Sequence, residues 1–416
     1  MTDRTHKRAA QLALMGPDAI LSSTATLLGA VAAAKKLGVS KATLYAYVSR
    51  GVLNAVPDPQ DPRASRYSSF EIDLLVRRKG RRKCIQQAMA AISEGHPILD
   101  TALSCIHKGQ PIYRGMSTVA LAKSASVEDV ARLLWQCDPH DPFAGPAPDL
   151  GEHWRVTAAA LRRRPAAERA LSLFALAQPA LQGPYWLTDP QALATAAGQH
   201  LRAAMACFLA QPPQERPLHE QVVRAWRLPR HAAEPLRCAL VLAADHELNV
   251  IAFVGRCLAS VGTPMGAALL AAMCSVHASI NGGDTPRVES FWDKLLAERD
   301  LKRAVVNHLA ASVGLPGFNH LAYPAGDPRA TMLLDAAAAL ASLPPIAATV
   351  EGLTGWKPTI AFGLVALRRA LGAPLGAALT LQLGGRCTGV IAHILEQRRS
   401  GQRLMPRARY VGPLPD

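Results

Sequence analysis

Between residues 154 and 260 the sequence is a succession of segments rich in Ala and Leu, cut at Pro179, Pro184, Pro190, Pro212-Pro213, Pro229 and Pro235. Ala and Leu lose little on entering a helix, whereas an internal proline removes a hydrogen bond and clashes with the preceding turn. Such a stretch folds as a string of helices with breaks at its prolines. Elsewhere the alphabet is similar: half of the 416 residues are hydrophobic but only 5% are aromatic, and long β-rich stretches are hard to find. The expected class is all-α, with chain enough for two or three domains and a large core.

The eight cysteines, at 84, 105, 137, 207, 238, 257, 274 and 387, show neither a CxxC nor a zinc-like Cys/His spacing. They predict reduced, partly buried thiols in a cytoplasmic protein, with no metal site. The start, MTDRTHKRAAQLALMG, has no apolar core followed by a cleavage site, so no signal peptide is expected. The longest apolar run, Val261 to Ile280, contains Pro264 and His277 and predicts a buried helix rather than a membrane span.

Net charge is +15 and unevenly placed, with 15 Lys and Arg against 6 Asp and Glu in residues 1–83. That local excess points to a polyanion, nucleic acid first, or to a solvated basic face. Within it, Ala-Val-Ala-Ala-Ala-Lys-Lys-Leu reads as a short helix stopped at Gly38. Ser40 can cap a second helix, Lys41 to Arg50, with Leu44, Tyr47 and Val48 inward and Lys41, Thr43 and Arg50 outward. Residues 40–53 resemble a MerR/excisionase-type helix-turn-helix, and the Pro-, Asp- and Arg-rich residues 52–69 resemble its wing. The resemblance implies base contacts from Lys41, Thr43 and Tyr45 and phosphate contacts from Arg63 and Arg66. The same motif also serves as a packing or dimerisation element.

The basic run Arg77 to Lys83 reads as a linker. After it, residues 97–115 alternate like a small hairpin, Ser126-Val-Glu-Asp opens a capped amphipathic helix, and residues 138–150 form a Pro-rich surface loop. His200, His219 and His231 lack metal-ligand spacing and are assigned surface or structural roles.

The polar groups with most to say lie in residues 245–329: Asp245-His-Glu-Leu-Asn249, Ser279-Ile-Asn281-Gly-Gly283, Gly317-Phe-Asn-His320 and Asp327-Pro-Arg329. Gly and Pro bound them, as expected of groups presented on loops. Together with Tyr113-Arg-Gly115, Gly385-Arg386, Ile391 to Gln397 and Pro406 to Gly412, they resemble the citrate synthase family from about Pro97 to the C-terminus. With the N-terminal module, the chain looks like the bacterial subgroup that carries a helix-turn-helix.

That family condenses acetyl-CoA with oxaloacetate, using a carboxylate base, an enolate-stabilising histidine, a ketone-polarising histidine and carboxylate-binding arginines, without a metal or redox cofactor. Carried over, His246 is the oxaloacetate-binding histidine, His320 polarises the ketone, and Arg329 and Arg386 hold carboxylates. The alternative for His246 is a helix cap, and for Arg329 a buried ion pair at a turn. Four positions depart from the pattern: Asn281 stands for the enolate histidine, Ala361 for the proton-abstracting aspartate, Met405 for an arginine that reaches the partner subunit, and Leu321 for the arginine that usually follows His320. Asn281 can still donate a hydrogen bond, but Ala361 cannot accept a proton. His277 and Glu351 are weak candidates for a replacement base.

The resemblance implies a helix-turn-helix domain and linker at 1–83, a large helical domain at 84–258 completed by 365–416, and a small one at 259–364, with the cleft between the last two. It also implies a homodimer, or a dimer with an active paralogue. The ligands would be an oxaloacetate-like carboxylate and acetyl-CoA or a related acyl-CoA. The expected function is that of a citrate or 2-methylcitrate synthase-like protein with impaired or lost catalysis, and the alternative is a ligand-sensing DNA-binding regulator.

Overall fold

The computed structural model describes residues 27–50, 52–53, 55–58, 61, 64–69, 71–73, 75–76, 99–181, 189–275, 284–311, 314–405, 410 and 412. The chain divides into two compact units, Met1–Asp100 and Thr101–Asp416.

In the first unit, strand β1 (Leu27–Gly29) leads into helices α1 (Ala30–Leu37) and α2 (Lys41–Ser49), followed by β2 (Ala55–Pro57) and β3 (Ser65–Ser68). Helix α1 ends where Gly38 adopts a left-handed conformation, and the Ser40 hydroxyl accepts the Thr43 N–H to start α2, both as the sequence predicts. The strands form an antiparallel sheet in the order β1-β3-β2, pairing Leu28 with Tyr67 and Val56 with Arg66. Leu37, Leu44, Leu53, Tyr67 and Ile72 close a small core.

The second unit opens on a three-stranded antiparallel sheet, β4 (Ser104–His107), β5 (Gln110–Tyr113) and β6 (Met116–Ser117). The helices α3 (Thr118–Leu121), α4 (Val127–Trp135), α5 (Gly151–Leu161), α6 (Ala166–Leu181), α7 (Pro190–Leu209) and α8 (Leu218–Ala225) follow. The order continues with α9 (Ala233–Ala243), α10 (Val250–Ser260), α11 (Met265–Cys274), α12 (Asp284–Ala297), α13 (Leu301–Ala311), α14 (Pro328–Leu340), α15 (Ile346–Thr354), α16 (Ile360–Ala370) and α17 (Ala377–Ser400).

The expected hairpin is present, and α4 starts with a capping box in which Ser126 and Asp129 satisfy each other's backbone N–H groups. The prolines act as position dictates. Pro190 opens α7, and Pro235 sits in the first turn of α9, where no intrahelical bond is lost. Pro179, expected as a break, instead lies inside α6, which runs two residues further.

Helix α17 is the axis of this unit. Eighteen of its 24 residues are buried, and it packs against α4, α7, α9, α10 and α16. Trp135 donates its indole N–H to the Thr388 carbonyl at 3.0 Å, tying α4 to it. Gly385 and Gly389 let α17 approach the end of α9: a Cβ at Gly389 would stand 2.4 Å from both the Ala244 carbonyl oxygen and the Asp245 carboxylate. Arg386, between them, is thereby held beside Asp245. No helix among the described residues is long and apolar enough to cross a membrane.

Candidate functional site

The site grows from the turn after α9. Asp245 is buried, and its Oδ2 accepts the Ser104 hydroxyl at 2.5 Å and lies 3.4 Å from His393 Nε2. Its Oδ1 is 3.6 Å from Arg386 Nη1. The Asp245 N–H donates to the Tyr113 hydroxyl at 2.9 Å, and that hydroxyl donates in turn toward the Asp245 carbonyl at 2.9 Å. Burial pushes the Asp245 carboxyl upward, but His393 and Arg386 overcome it and hold the group ionised below its ordinary value. The next residues are pinned as firmly. Glu247 accepts the Ile106 N–H at 3.0 Å, and Asn249 caps α10 by accepting the Ala252 N–H at 3.1 Å. The capping alternative for His246 therefore falls to Asn249, which leaves the histidine for the pocket.

A second arm comes from the loop before α14. His320 Nδ1 accepts the Ala322 N–H at 3.1 Å, so in the neutral ring the proton sits on Nε2. Its ring lies edge-on to His246 with centroids 5.1 Å apart, and Tyr323 is 5.7 Å from His246 and 5.2 Å from His320. The Arg329 guanidinium lies 5.1 Å from the centre of the Tyr323 ring.

Arg329 and Asp327 form a buried pair with side chains only 2% and 0% exposed. Asp327 accepts Nε and Nη2 of Arg329, each at 2.9 Å, and also the backbone N–H groups of Arg329 and Ile360. The ion-pair alternative for Arg329 is thus realised, and it has a cost for binding. The planar fork is spent on Asp327, so a ligand would meet the remaining amine rather than a bidentate clamp.

Buried polar atoms here with no hydrogen-bond partner among the described residues include His246 Nε2, Tyr323 Oη, Arg329 Nη1 and Arg386 Nη1, the last of which still lies 3.6 Å from Asp245 Oδ1. Burial, with help from Arg329, Arg386 and His320, drives the His246 pKa well below the ordinary histidine value; burial and Arg329 lower that of His320. Burial raises the Tyr323 phenol and lifts that of Tyr113 to about 12. At neutral pH the pocket therefore holds uncharged rings and phenols beside two guanidiniums, a set that can donate to carboxylate and ketone oxygens.

His246, His320, Arg329 and Arg386 thus stand in one cluster. Ala361 is buried in the first turn of α16, whose leading N–H bonds Asp327. Asn281 and His277 lie outside the described residues. Glu351 is paired with Lys357, and Met405 is 71% exposed. Sequence reasoning missed Tyr323, which stands three residues after His320 without a motif of its own. It also missed the role of Tyr113, although Tyr113 lies within one of the recognised segments.

In the first unit Lys41 and Tyr45 are exposed, but the Thr43 hydroxyl is engaged with Ser40 at 2.9 Å. Arg66 pairs with Asp58 at 2.8 Å, and Arg63 lies outside the described residues.

The family model described as citrate synthase, C-terminal domain matches residues 92–409. Citrate synthase 2 of Bacillus subtilis is 27% identical over 190 residues, which is 43% of this chain and 51% of that protein. The 2-methylcitrate synthase of Shewanella oneidensis is 26% identical over 188 residues, 42% of this chain and 50% of that protein. The chain spans about half the length of the curated relatives it matches. Among solved structures, citrate synthase of Thermotoga maritima superposes with a TM-score of 0.64 at 18% identity, covering 77% of this chain and 95% of the other. That of Thermoplasma acidophilum, a ternary complex with carboxymethyl coenzyme A and oxaloacetate, gives 0.60 at 21% identity, covering 77% and 95%. A family match over most of the residues, on a helical fold shared with those enzymes, means that the chain belongs to the citrate synthase family.

Proposed function

We propose that the protein is of the acyl-CoA and oxaloacetate condensing class, citrate or 2-methylcitrate synthase in type, and that it binds an oxaloacetate-like acid while its catalysis is impaired or lost. The carrying observation is the convergence of His246 Nε2, Tyr323 Oη, Arg329 Nη1 and Arg386 Nη1, buried and without hydrogen-bond partners among the described residues. Leaving such groups unpaired costs on the order of 1–3 kcal/mol each, which an acid ligand's oxygens would recover. In this reading His246 and the two arginines hold the acid and His320 polarises its ketone. The acyl-CoA is substrate or ligand rather than a resident cofactor. The impairment follows from Ala361, whose methyl cannot take a proton, and from Asn281 and Met405 at two of the other departures from the family pattern. General-base catalysis is worth on the order of 10²–10⁴-fold.

The test follows release of free thiol from acetyl-CoA with oxaloacetate, alongside calorimetric titration with oxaloacetate. Binding with turnover at least about 10²-fold below that of an intact citrate synthase is expected. Ordinary turnover would overturn the impairment, and absence of binding would overturn the pocket.

A second reading is favoured by the first unit, where Lys41 and Tyr45 are exposed on a helix that follows a glycine turn in a strongly basic region. In it the chain is a non-catalytic regulator of the helix-turn-helix subgroup. A carboxylate or acyl-CoA in the pocket would bias DNA binding by a homodimer, or by a dimer with an active paralogue. Absence of a gel shift at low salt on DNA upstream of its own coding region would count against it.

A further inference from the structure

Behind the acid pocket lies a second polar array, on residues to which the proposed binding gives no role. Arg386, Gly389 and His393 follow one another along one face of α17, about a turn apart. The missing side chain of Gly389 leaves the gap in which the Asp245 carboxylate sits, between the other two. His393 is fully buried, and its Nδ1 accepts the Arg256 Nε–H at 3.0 Å. A guanidinium can only donate, so the proton of the ring is on Nε2, 3.4 Å from Asp245 Oδ2. Arg256 is itself firmly held. It donates to Thr101 Oγ1 at 3.1 Å and to Gln397 Oε1 at 3.3 Å, and it pairs with Glu396, which accepts the Ala102 N–H at 2.9 Å.

The array is therefore tight at its outer end and slack beside the pocket. Asp245 Oδ1, Arg386 Nη1 and His393 Nε2 are buried without hydrogen-bond partners among the described residues, and Asp245 stands 3.6 Å from Arg386. The neighbouring pair behaves differently: Asp327 has closed on Arg329 with two bonds of 2.9 Å. Opposite charges so deeply buried attract strongly, so the gap at Asp245 needs a restraint. It acts on the oxygen facing away from Arg386, where the Ser104 hydroxyl donates to Oδ2 at 2.5 Å and the His393 Nε2–H faces the same atom.

The structure assigns His393 as a positioning residue of the acid pocket: anchored by Arg256, it draws the Asp245 carboxylate back and so keeps Arg386 Nη1 available to a carboxylate of the ligand. This rests on the proposed acid binding and deepens it, by accounting for why the fork of Arg329 is spent on its acid while Arg386 is not. Without the Nε2 donor the carboxylate would turn toward Arg386 and close that pair as well, and the ligand would lose a charge-assisted hydrogen bond.

Two substitutions separate positioning from packing. In His393→Asn the amide oxygen takes the place of Nδ1 and keeps the Arg256 bond, but the side chain stops short of Asp245. The longer side chain of His393→Gln carries its amide nitrogen to the place of Nε2 and keeps the donor. Calorimetric titration of the full chain with oxaloacetate should give an affinity on the order of 10–100-fold lower in His393→Asn, and one within a few-fold of wild type in His393→Gln. Arg386→Lys keeps a charge facing Asp245 but has no Nη1 to hold free. In that background His393→Asn should change the affinity by less than about twofold, a non-additivity that packing alone would not produce. If His393→Asn does not fold, Arg256→Lys, which keeps a charge beside Glu396 but loses the Nε–H anchor, should show the same weakening and the same dependence on Arg386. Unchanged affinity in His393→Asn, an equal loss in His393→Gln, or an undiminished loss in the Arg386→Lys background would each overturn the positioning role while leaving the pocket intact. Failure of the wild-type chain to bind oxaloacetate would remove the pocket, and this proposal with it.

Discussion

Asp327→Asn isolates the buried pair at the start of α14. The amide keeps one oxygen for the capping role but removes the charge that faces Arg329, in a place where neither side chain reaches solvent. An uncompensated buried charge left by such a deletion costs on the order of 3–5 kcal/mol, far more than the loss of one neutral hydrogen bond. The Ile360 N–H, which bonds the other carboxylate oxygen at 3.0 Å, would face an amide nitrogen in one of the two rotamers. Urea unfolding of the full chain, followed by circular dichroism, should show a fall of that size with little change in slope. Glu152→Gln, from an exposed pair with Arg155, is the control and should change little. The substitution also loosens the Arg329 fork, so a dicarboxylate should stabilise the variant more than it does the parent. Saturation at 100 times Kd is worth about 2.7 kcal/mol and would recover much of the loss. A fall of less than about 1 kcal/mol, the range of exposed pairs, would refute the view that Arg329 depends on Asp327 for its charge.

Three further outcomes follow from the same structure. Gly389→Ala should destabilise by on the order of 1–3 kcal/mol or prevent folding, because its Cβ would overlap the Ala244 carbonyl and the Asp245 carboxylate; an unchanged urea midpoint would count against close contact of α17 with α9. His246 is held neutral in the folded state and titrates near its ordinary value, about 6.5, when unfolded, so stability should fall as pH drops below that value. His246→Gln should reduce that slope in urea unfolding between pH 5 and 8, without abolishing it, since His200, His308 and His320 shift the same way. If the DNA reading holds, Lys41→Ala should lower the salt dependence of binding by about one ion, whereas Arg66→Ala, whose guanidinium is engaged with Asp58, should do less.

Much of this was readable in the residues because the signals were local. Gly38 stops a helix, Ser40 and Ser126 cap others, and alternation marks the hairpin at 104–113. The structure brings the side chains of His246, His320, Arg329 and Arg386 near one another. What escaped was the distant pairing. The sequence has no local signal for Ser104 reaching Asp245, or for Arg256 holding His393 Nδ1 at 3.0 Å. Tyr323 joins the pocket only because the loop after His320 folds back on itself, with the Tyr323 N–H donating to the His320 carbonyl at 2.9 Å. Arg329 was legible as a cation in the right motif, but not as one whose fork is already engaged. Pro179 was read as a break because a proline's effect depends on how near the helix end it falls.

The pairings of Asp245 with Arg386 and of Asp327 with Arg329 bear on how such a pocket ages. Both acids are buried in the contacts that hold α9, α14, α16 and α17 together, so losing any of the four residues would damage the fold before it damaged ligand binding. A lineage that abandoned the chemistry would go on inheriting those arginines for mechanical reasons. His246 and Tyr323 are under no such obligation, since their unpaired atoms burden the folded state. Drift at those two positions, rather than at the arginines, is where disuse of the pocket would first be written.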